Sequence, residues 1–169
     1  MKTIDSKIKK ITITAVLAAL ITLMTAYVCH IPVPIAGGYI HVGDSLIYLA
    51  ACLLPRPYAM VAAAIGGGMA DLLTAPMWTI PTMIIKPLIT LPFTGRDTRL
   101  LNKRNLIAPL FAYFISATGY FLAEAFIFGA GVAFLTSVAA SFIQSFGSAV
   151  IFLIFATALD KMNFKSRTM

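Results

Sequence analysis

The sequence predicts an all-α integral membrane protein with six transmembrane helices and no sizeable soluble domain. Of its 169 residues, 60% are hydrophobic and 11% are charged, whereas a typical soluble domain has about 25% charged residues. The mean hydropathy is +0.92. Further apolar segments follow the first one, so we expect that segment to remain as a helix rather than to be cleaved as a signal peptide.

A membrane helix needs about 20 mostly apolar residues, and fewer where its ends are buried in protein. On this basis residues 1–169 form a single membrane domain with an outer loop over 29–41 and a basic loop over 94–105. The predicted helices cover residues 11–28, 42–54, 58–75, 80–93, 106–128 and 132–159. The second and fourth helices are short. A re-entrant hairpin over 58–93 would leave four spans, again with both termini on one side.

Basic residues indicate the orientation of the chain. Twelve of the 13 lysines and arginines lie near the termini or in the loops after the second and fourth predicted helices. With six spans these residues all face the same side, which the positive-inside rule identifies as cytoplasmic. Topology therefore explains the net charge of +7, and no nucleic-acid partner is implied.

Four ionisable residues fall inside the predicted spans: Asp44, Asp71, Lys86 and Glu124. At a rise of about 1.5 Å per residue, all four lie in the outer third of the membrane. An ionisable group in hydrocarbon costs several kcal/mol unless it is paired or hydrated, and it marks a candidate functional site. The shared depth predicts a pocket that is open to the outside.

Other interpretations of these charges stay open. Asp71 and Lys86 could form a buried ion pair across a helical hairpin and serve assembly, which does not exclude a nearby ligand. Glu124 could be protonated, share Lys86, or contact a cationic group of a substrate.

Aromatic side chains occur at the same depth, and one amide side chain lies nearer mid-membrane. Tyr39, Trp78 and Tyr120 either line the pocket or form an interfacial aromatic belt. Tyr120 and Glu124 are four residues apart and share one helix face. Gln144 belongs to a polar stripe on the sixth helix and is either the pocket floor or a contact between helices.

The outer loop carries the segment "HIPVPIAGGYIHVGD". Its two histidines are eleven residues apart, which is a poor pattern for a metal site, and we expect no metal. We interpret the segment as a lid with a hinge at Gly37 and Gly38. Tyr39, His41 and Asp44 would then face the ligand.

Motifs for catalysis and for ATP hydrolysis are absent. The sequence has no phosphate-binding loop of the GxxxxGK[ST] type, no HExxH and no GxSxG. We therefore predict no catalytic residues, no cofactor and no enzyme activity. A transport protein of this kind needs either an ion gradient or a partner that hydrolyses ATP.

Three segments resemble the substrate-binding S components of energy-coupling factor (ECF) transporters. They are "TAVLAAL" with Ala15 and Ala19, "GGGMADLL" with Asp71, and the proline-rich outer loop. The length, span number and charge placement are similar over the whole chain. The resemblance implies a six-helix S-component-like bundle in a prokaryotic cell membrane, with cytoplasmic termini.

The resemblance also implies a function and partners. An S component captures a micronutrient from outside and passes it inward by toppling when docked to a membrane-embedded coupling (T) subunit and two ATPase subunits. Ala15 and Ala19 would dock against the coupling subunit. The outer loop is similar to a subgroup linked to salvage of queuosine precursors, which are deazapurines, although thiamine precursors and other cationic vitamins would suit the same residues.

We thus predict a substrate-capture subunit of an ATP-driven uptake system. The alternative is a stand-alone, proton-coupled secondary transporter of a small organic solute, with Asp71, Lys86 and Glu124 as a proton relay. The predicted substrate-binding residues are Tyr39, His41, Asp44, Asp71, Trp78, Lys86, Tyr120, Glu124 and Gln144.

Overall fold

The structure is a computed structural model that describes residues 2–28, 30–33 and 38–168, without the side chains of 2, 3, 5, 33, 38–40, 130–137 and 168. The described part is mainly helical. Its helices are α1 (Lys2–Tyr27), α2 (Asp44–Leu53), α3 (Arg56–Thr74), α4 (Thr79–Leu88), α5 (Lys103–Phe128), α6 (Ala130–Lys161) and α7 (Phe164–Thr168).

Helix lengths differ widely. Within the described residues, three helices are long and apolar enough to cross a membrane: Ser6–Tyr27, Lys103–Phe128 and Val138–Lys161. By contrast, α2 and α4 have ten residues each, or about 15 Å of helix, which is half of a hydrocarbon core about 30 Å thick. The segment predicted as a helix over 80–93 is helical only as far as Leu88 and continues in turns.

Burial explains why α2 can be so short. Nine of its ten residues are buried, so protein rather than lipid surrounds this helix. Tyr48 stacks on Phe93 with ring centroids 4.8 Å apart and meets the edge of Phe152 at 5.9 Å. An apolar segment of 10–14 residues is typical of a core helix, and α2 is one.

Glycines let α3 approach α1 and α4 closely. A Cβ atom on Gly66 would lie 2.7 Å from the side chain of Ile21 on α1. One on Gly67 would lie 3.0 Å from both the Lys86 and Thr82 side chains on α4. The glycine run therefore brings α3 to the distance at which α4 can place Lys86 in the interior.

The outer loop contains a small antiparallel hairpin of β1 (Ile31–Val33) and β2 (Gly38–Ile40), in which Pro32 is opposite Tyr39. The sequence pattern does not predict this hairpin, because each strand has only three residues. Gly37 of the expected hinge lies outside the described residues, and Gly38 pairs with Val33.

Two polar side chains hold the loop between α4 and α5. Asn105 is fully buried; its Oδ1 accepts a hydrogen bond from the Thr94 N–H at 2.8 Å, and its Nδ2 donates to the carbonyls of Thr94 and Leu100 at 2.9 and 2.8 Å. Asp160 on α6 accepts the N–H groups of Leu100 and Leu101 at 2.7 and 2.9 Å. This loop is therefore part of the folded body.

Lys165 on α7 joins the same region from the C-terminal side. Its Nζ donates to the carbonyls of Cys52 and Gly95 at 2.7 and 2.9 Å. The side chain is buried, and this burial lowers its pKa. In the sequence Lys165 belongs to a basic cluster that indicates topology, and nothing in that pattern predicts its interior contacts.

Candidate functional site

Asp44 lies at the centre of a buried polar cluster. It is the first residue of α2 and follows the N-cap Gly43, where the positive end of the helix dipole favours a carboxylate. Its two carboxylate oxygens accept hydrogen bonds from Lys86 Nζ at 2.7 and 2.9 Å. The Asp44 side chain is 0% exposed and that of Lys86 1%, so the pair is removed from solvent.

Gln144 connects α6 to this pair. Its Nε2 donates to Asp44 Oδ2 at 3.0 Å, and its Oε1 accepts the His41 N–H at 3.4 Å. The ring Nδ1 of His41 accepts the Gly43 N–H at 3.0 Å. Burial and the Lys86 ammonium lower the pKa of His41 to about 3, so the ring is neutral at physiological pH. We call Asp44, Lys86, Gln144 and His41 the polar cluster.

An aromatic pair lies beside the polar cluster. Lys86 Nζ lies 5.3 Å from the ring centroid of Tyr120, a cation–π distance. The Tyr120 hydroxyl forms a 2.9 Å hydrogen bond with Thr82 Oγ1. Trp78 meets Tyr120 edge-on with centroids 6.0 Å apart. Trp78 and Tyr120 are the aromatic pair.

The indole N–H of Trp78 is a buried donor with no hydrogen-bond acceptor in the part of the chain that the structure describes. Trp78 is 4% exposed. A buried donor without an acceptor costs about 1–3 kcal/mol. A bound molecule that offers an acceptor at this point would recover that free energy.

The other two predicted carboxyl groups are also buried. Asp71 is 6% exposed and Glu124 7%. Asp71 acts on the Lys86 ammonium as a second nearby negative charge, but the ion pair of Lys86 is with Asp44. The sequence predicted that Lys86 is a buried cation. One suggested partner was Asp71, but the residue that forms the ion pair is Asp44.

Tyr39 is in β2, and its side chain lies outside the described residues. Among the side chains that are described, no group of three or more His, Cys, Asp or Glu is arranged to hold a metal ion. The structure therefore brings together His41, Asp44, Lys86 and Gln144, with Trp78 and Tyr120 beside them.

Two residues that position this cluster, Gly43 and Thr82, were not predicted from the sequence. Gly43 is needed because a Cβ atom there would collide with the Thr25 hydroxyl. Thr82 fixes the Tyr120 hydroxyl. Thr82 is one turn before Lys86 on α4. This spacing puts the two side chains on the same helix face and could have identified Thr82.

Ala15 and Ala19 lie on the outside of the bundle. Both are exposed, whereas Leu17, Ala18 and Ile21 on the same helix are buried. The two alanines are four residues apart and share one helix face.

Comparison with known proteins decides the family. The family described as "ECF-type riboflavin transporter, S component" matches residues 5–161. The chain belongs to this family. This is a family of transporter components rather than of enzymes.

A curated relative adds a partial match. An uncharacterised protein of Pyrococcus woesei, named from the gap 3' region, is 33% identical over 63 residues. The match covers 37% of this chain and 43% of the relative. The S component thus spans less than half of that relative's length, and the relative's name gives no activity.

Proposed function

We propose that this S component binds its ligand beside the polar cluster and the aromatic pair. The observation that carries the proposal is the buried Trp78 indole N–H without an acceptor among the described residues. It lies against Tyr120, which contacts Lys86. Aromatic surface combined with a few fixed polar groups is typical of a small-molecule site.

The ligand that suits these groups is a vitamin-like molecule with a planar heterocycle. Such a ring would pack on Trp78 or Tyr120, and its carbonyl oxygens or ring nitrogens would accept the indole N–H. Asp71 and Glu124, with Tyr39 of the outer loop, complete the proposed site.

Riboflavin is the first candidate, because the matching family is named for it. Its ring system is planar, uncharged and rich in acceptors. Lys86 already neutralises Asp44, so an uncharged ligand needs no counter-ion from the polar cluster.

A deazapurine precursor of queuosine is the second candidate, because the outer loop resembles that subgroup. A queuine-like ligand carries a secondary amine that is cationic at neutral pH. The buried carboxyl groups of Asp71 and Glu124 would then face this amine.

For transport, we propose that Ala15 and Ala19 dock on the T subunit and that two ATPase subunits supply the energy. The exposure of both alanines supports this role, because a close helix–helix contact in a membrane needs small residues. We also propose six spans with both termini cytoplasmic, from the distribution of basic residues.

This ATP-driven function is favoured over the stand-alone proton-coupled transporter. Lys86 donates to both oxygens of Asp44. In a proton relay the Lys86 ammonium would have to break this ion pair before it could release a proton. Uptake that persists in cells lacking the T and ATPase subunits, and that an uncoupler abolishes, would show the opposite.

The ligand test uses intrinsic fluorescence, because Trp78 is the single tryptophan of the chain. The purified protein is titrated with riboflavin, thiamine and queuine. We expect saturable quenching of Trp78 by riboflavin or, failing that, by queuine. Gln144→Leu should weaken the binding about tenfold, whereas Thr157→Val, an exposed position on the same helix, should leave it unchanged. No saturable change with any of the three would contradict the proposal.

A further inference from the structure

A basic cavity lies at the end of α2 opposite Asp44. It encloses about 390 Å³ and is lined by Arg56, Arg96 and Arg104, together with Leu54, Thr94, Gly95 and two prolines. These arginines are on the side that the positive-inside rule identifies as cytoplasmic. The cavity is therefore separate from the proposed ligand site.

The cavity carries uncompensated positive charge. Within residues 2–28, 30–33 and 38–168, none of the three arginines forms an ion pair with a carboxylate. Asp97, next to Arg96 in sequence, accepts a hydrogen bond from Asn102 at 2.7 Å instead. Arg56 is also the first residue of the 19-residue helix α3, whose dipole adds positive potential.

The Arg104 side chain is fixed in place. Its Nε donates to the Pro92 carbonyl at 2.7 Å and its Nη2 to the Leu91 carbonyl at 3.2 Å. A guanidinium has five N–H donors, so donors remain available beyond these two bonds. The loop that carries Arg96 is held by Asn105 and Asp160, as described above.

Arg104 also lines a second, apolar depression. This groove has a volume of about 590 Å³ and runs along α5 past Ile107, Phe111 and Phe114. These three side chains are 54–57% exposed, on a helix long and apolar enough to span the membrane. One arginine thus lies between a cationic cavity and an apolar groove that faces lipid.

From this arrangement we infer a binding site for one anionic phospholipid of the cytoplasmic leaflet. The phosphate group occupies the arginine cavity, and an acyl chain follows the groove on α5. Arginine clusters between membrane helices bind anionic headgroups through charge-assisted hydrogen bonds. A soluble anion would use the cavity alone, whereas a phospholipid uses both parts, and the continuity of the two at Arg104 favours the lipid.

The experiment measures lipid retention by native mass spectrometry of the 169-residue protein in detergent. Phosphatidylglycerol, phosphatidylcholine and inorganic phosphate are added separately. We expect one phosphatidylglycerol to be retained, with little phosphatidylcholine, and inorganic phosphate should not displace it. The Arg56→Gln/Arg96→Gln variant should lose retention at least about tenfold.

The matched control is Arg99→Gln/Arg167→Gln, which removes the same charge from exposed positions that do not line the cavity. It should retain phosphatidylglycerol as the unmodified protein does. Thermal unfolding of both variants reports whether they fold. Equal losses in the two variants, equal retention of phosphatidylcholine, or displacement by phosphate would overturn the inference. If the arginine variant folds poorly, Phe111→Ala is tested instead. Unchanged retention of phosphatidylglycerol by this variant would also overturn the inference.

Discussion

Lys86 donates hydrogen bonds to both carboxylate oxygens of Asp44, at 2.7 and 2.9 Å, across the interface of α4 and α2. Neither side chain is more than 1% exposed. Lys86→Met alone would leave the carboxylate without its cation, and Asp44→Asn alone would leave the ammonium without its anion. We expect each single change to destabilise the fold by about 3–5 kcal/mol.

The double variant Asp44→Asn/Lys86→Met provides the control. The double variant removes both charges, so its loss of unfolding free energy should be smaller than the sum of the two single losses. We expect the difference, which is the coupling energy, to be about 1–3 kcal/mol. Unfolding in detergent, followed by Trp78 fluorescence, measures all four proteins. Strictly additive effects would show that the pair does not act as a unit.

Gly67→Ala tests the approach of α3 to α4. The new methyl group would lie 3.0 Å from the Lys86 and Thr82 side chains, so we expect a loss of about 1–3 kcal/mol from overpacking. Gly147→Ala is the matched control, because its methyl group would meet only Val42, at an ordinary distance of 3.8 Å. The control should be neutral or slightly stabilising. If both variants unfold alike, the close approach is not what the glycine provides.

His41 makes stability depend on pH. Burial, with the Lys86 ammonium, lowers the pKa of the folded ring from 6.5 to about 3. Below pH 6.5 the His41 ring binds a proton in the unfolded chain but stays neutral in the folded protein. The free energy of unfolding therefore includes the full contribution of His41 above pH 6.5. It decreases as the pH is lowered, by about 2 kcal/mol at pH 5.

Unfolding measurements at pH 7.5 and pH 5 test this contribution. The free energy of unfolding differs between the two pH values, and His41→Asn should reduce that difference by about 2 kcal/mol. NMR of ring-labelled histidine should show His41 neutral at pH 5. Protonation of His41 near pH 6 would contradict the prediction.

Ala15→Trp tests the proposed docking surface. The side chain is exposed on α1, so the indole should fit without disturbing the fold while preventing close contact with the T subunit. We expect uptake to be lost and ligand binding by the purified protein to be unchanged. Ala139→Trp, at an exposed position on α6, should preserve both. Loss of ligand binding in the Ala15 variant would mean that docking and binding surfaces are not separate.

Hydropathy and charge predict apolar membrane helices, because both patterns follow directly from the cost of polar groups in lipid. Three of the described helices are long and apolar enough to cross a membrane. Depth along each helix predicted that Asp44 and Lys86 lie at one level, and the two form an ion pair. It could not give the partner of Lys86, because the choice between Asp44 and Asp71 depends on the rotation and approach of α2, α3 and α4. Gly67 permits the close approach of α3 to α4, and this effect appears only when the helices are packed.

The roles of Asn105, Asp160 and Lys165 were equally inaccessible from sequence. Each of these side chains bonds to backbone groups of a loop that has no repeating pattern. Periodicity locates regular elements and says nothing about which side chain satisfies an irregular backbone. A single Asp near the end of an apolar helix was the only available signal.

The bonds from Asp160 to Leu100 and Leu101 have a consequence for hydrogen exchange. Loop amides normally exchange quickly, because water reaches them without any unfolding. These two amides are bonded to α6, and Lys165 ties the neighbouring Gly95 to α7. Deuterium should therefore enter Leu100 and Leu101 only when the C-terminal helices detach, which makes this loop a reporter of the cooperative opening of that end of the protein.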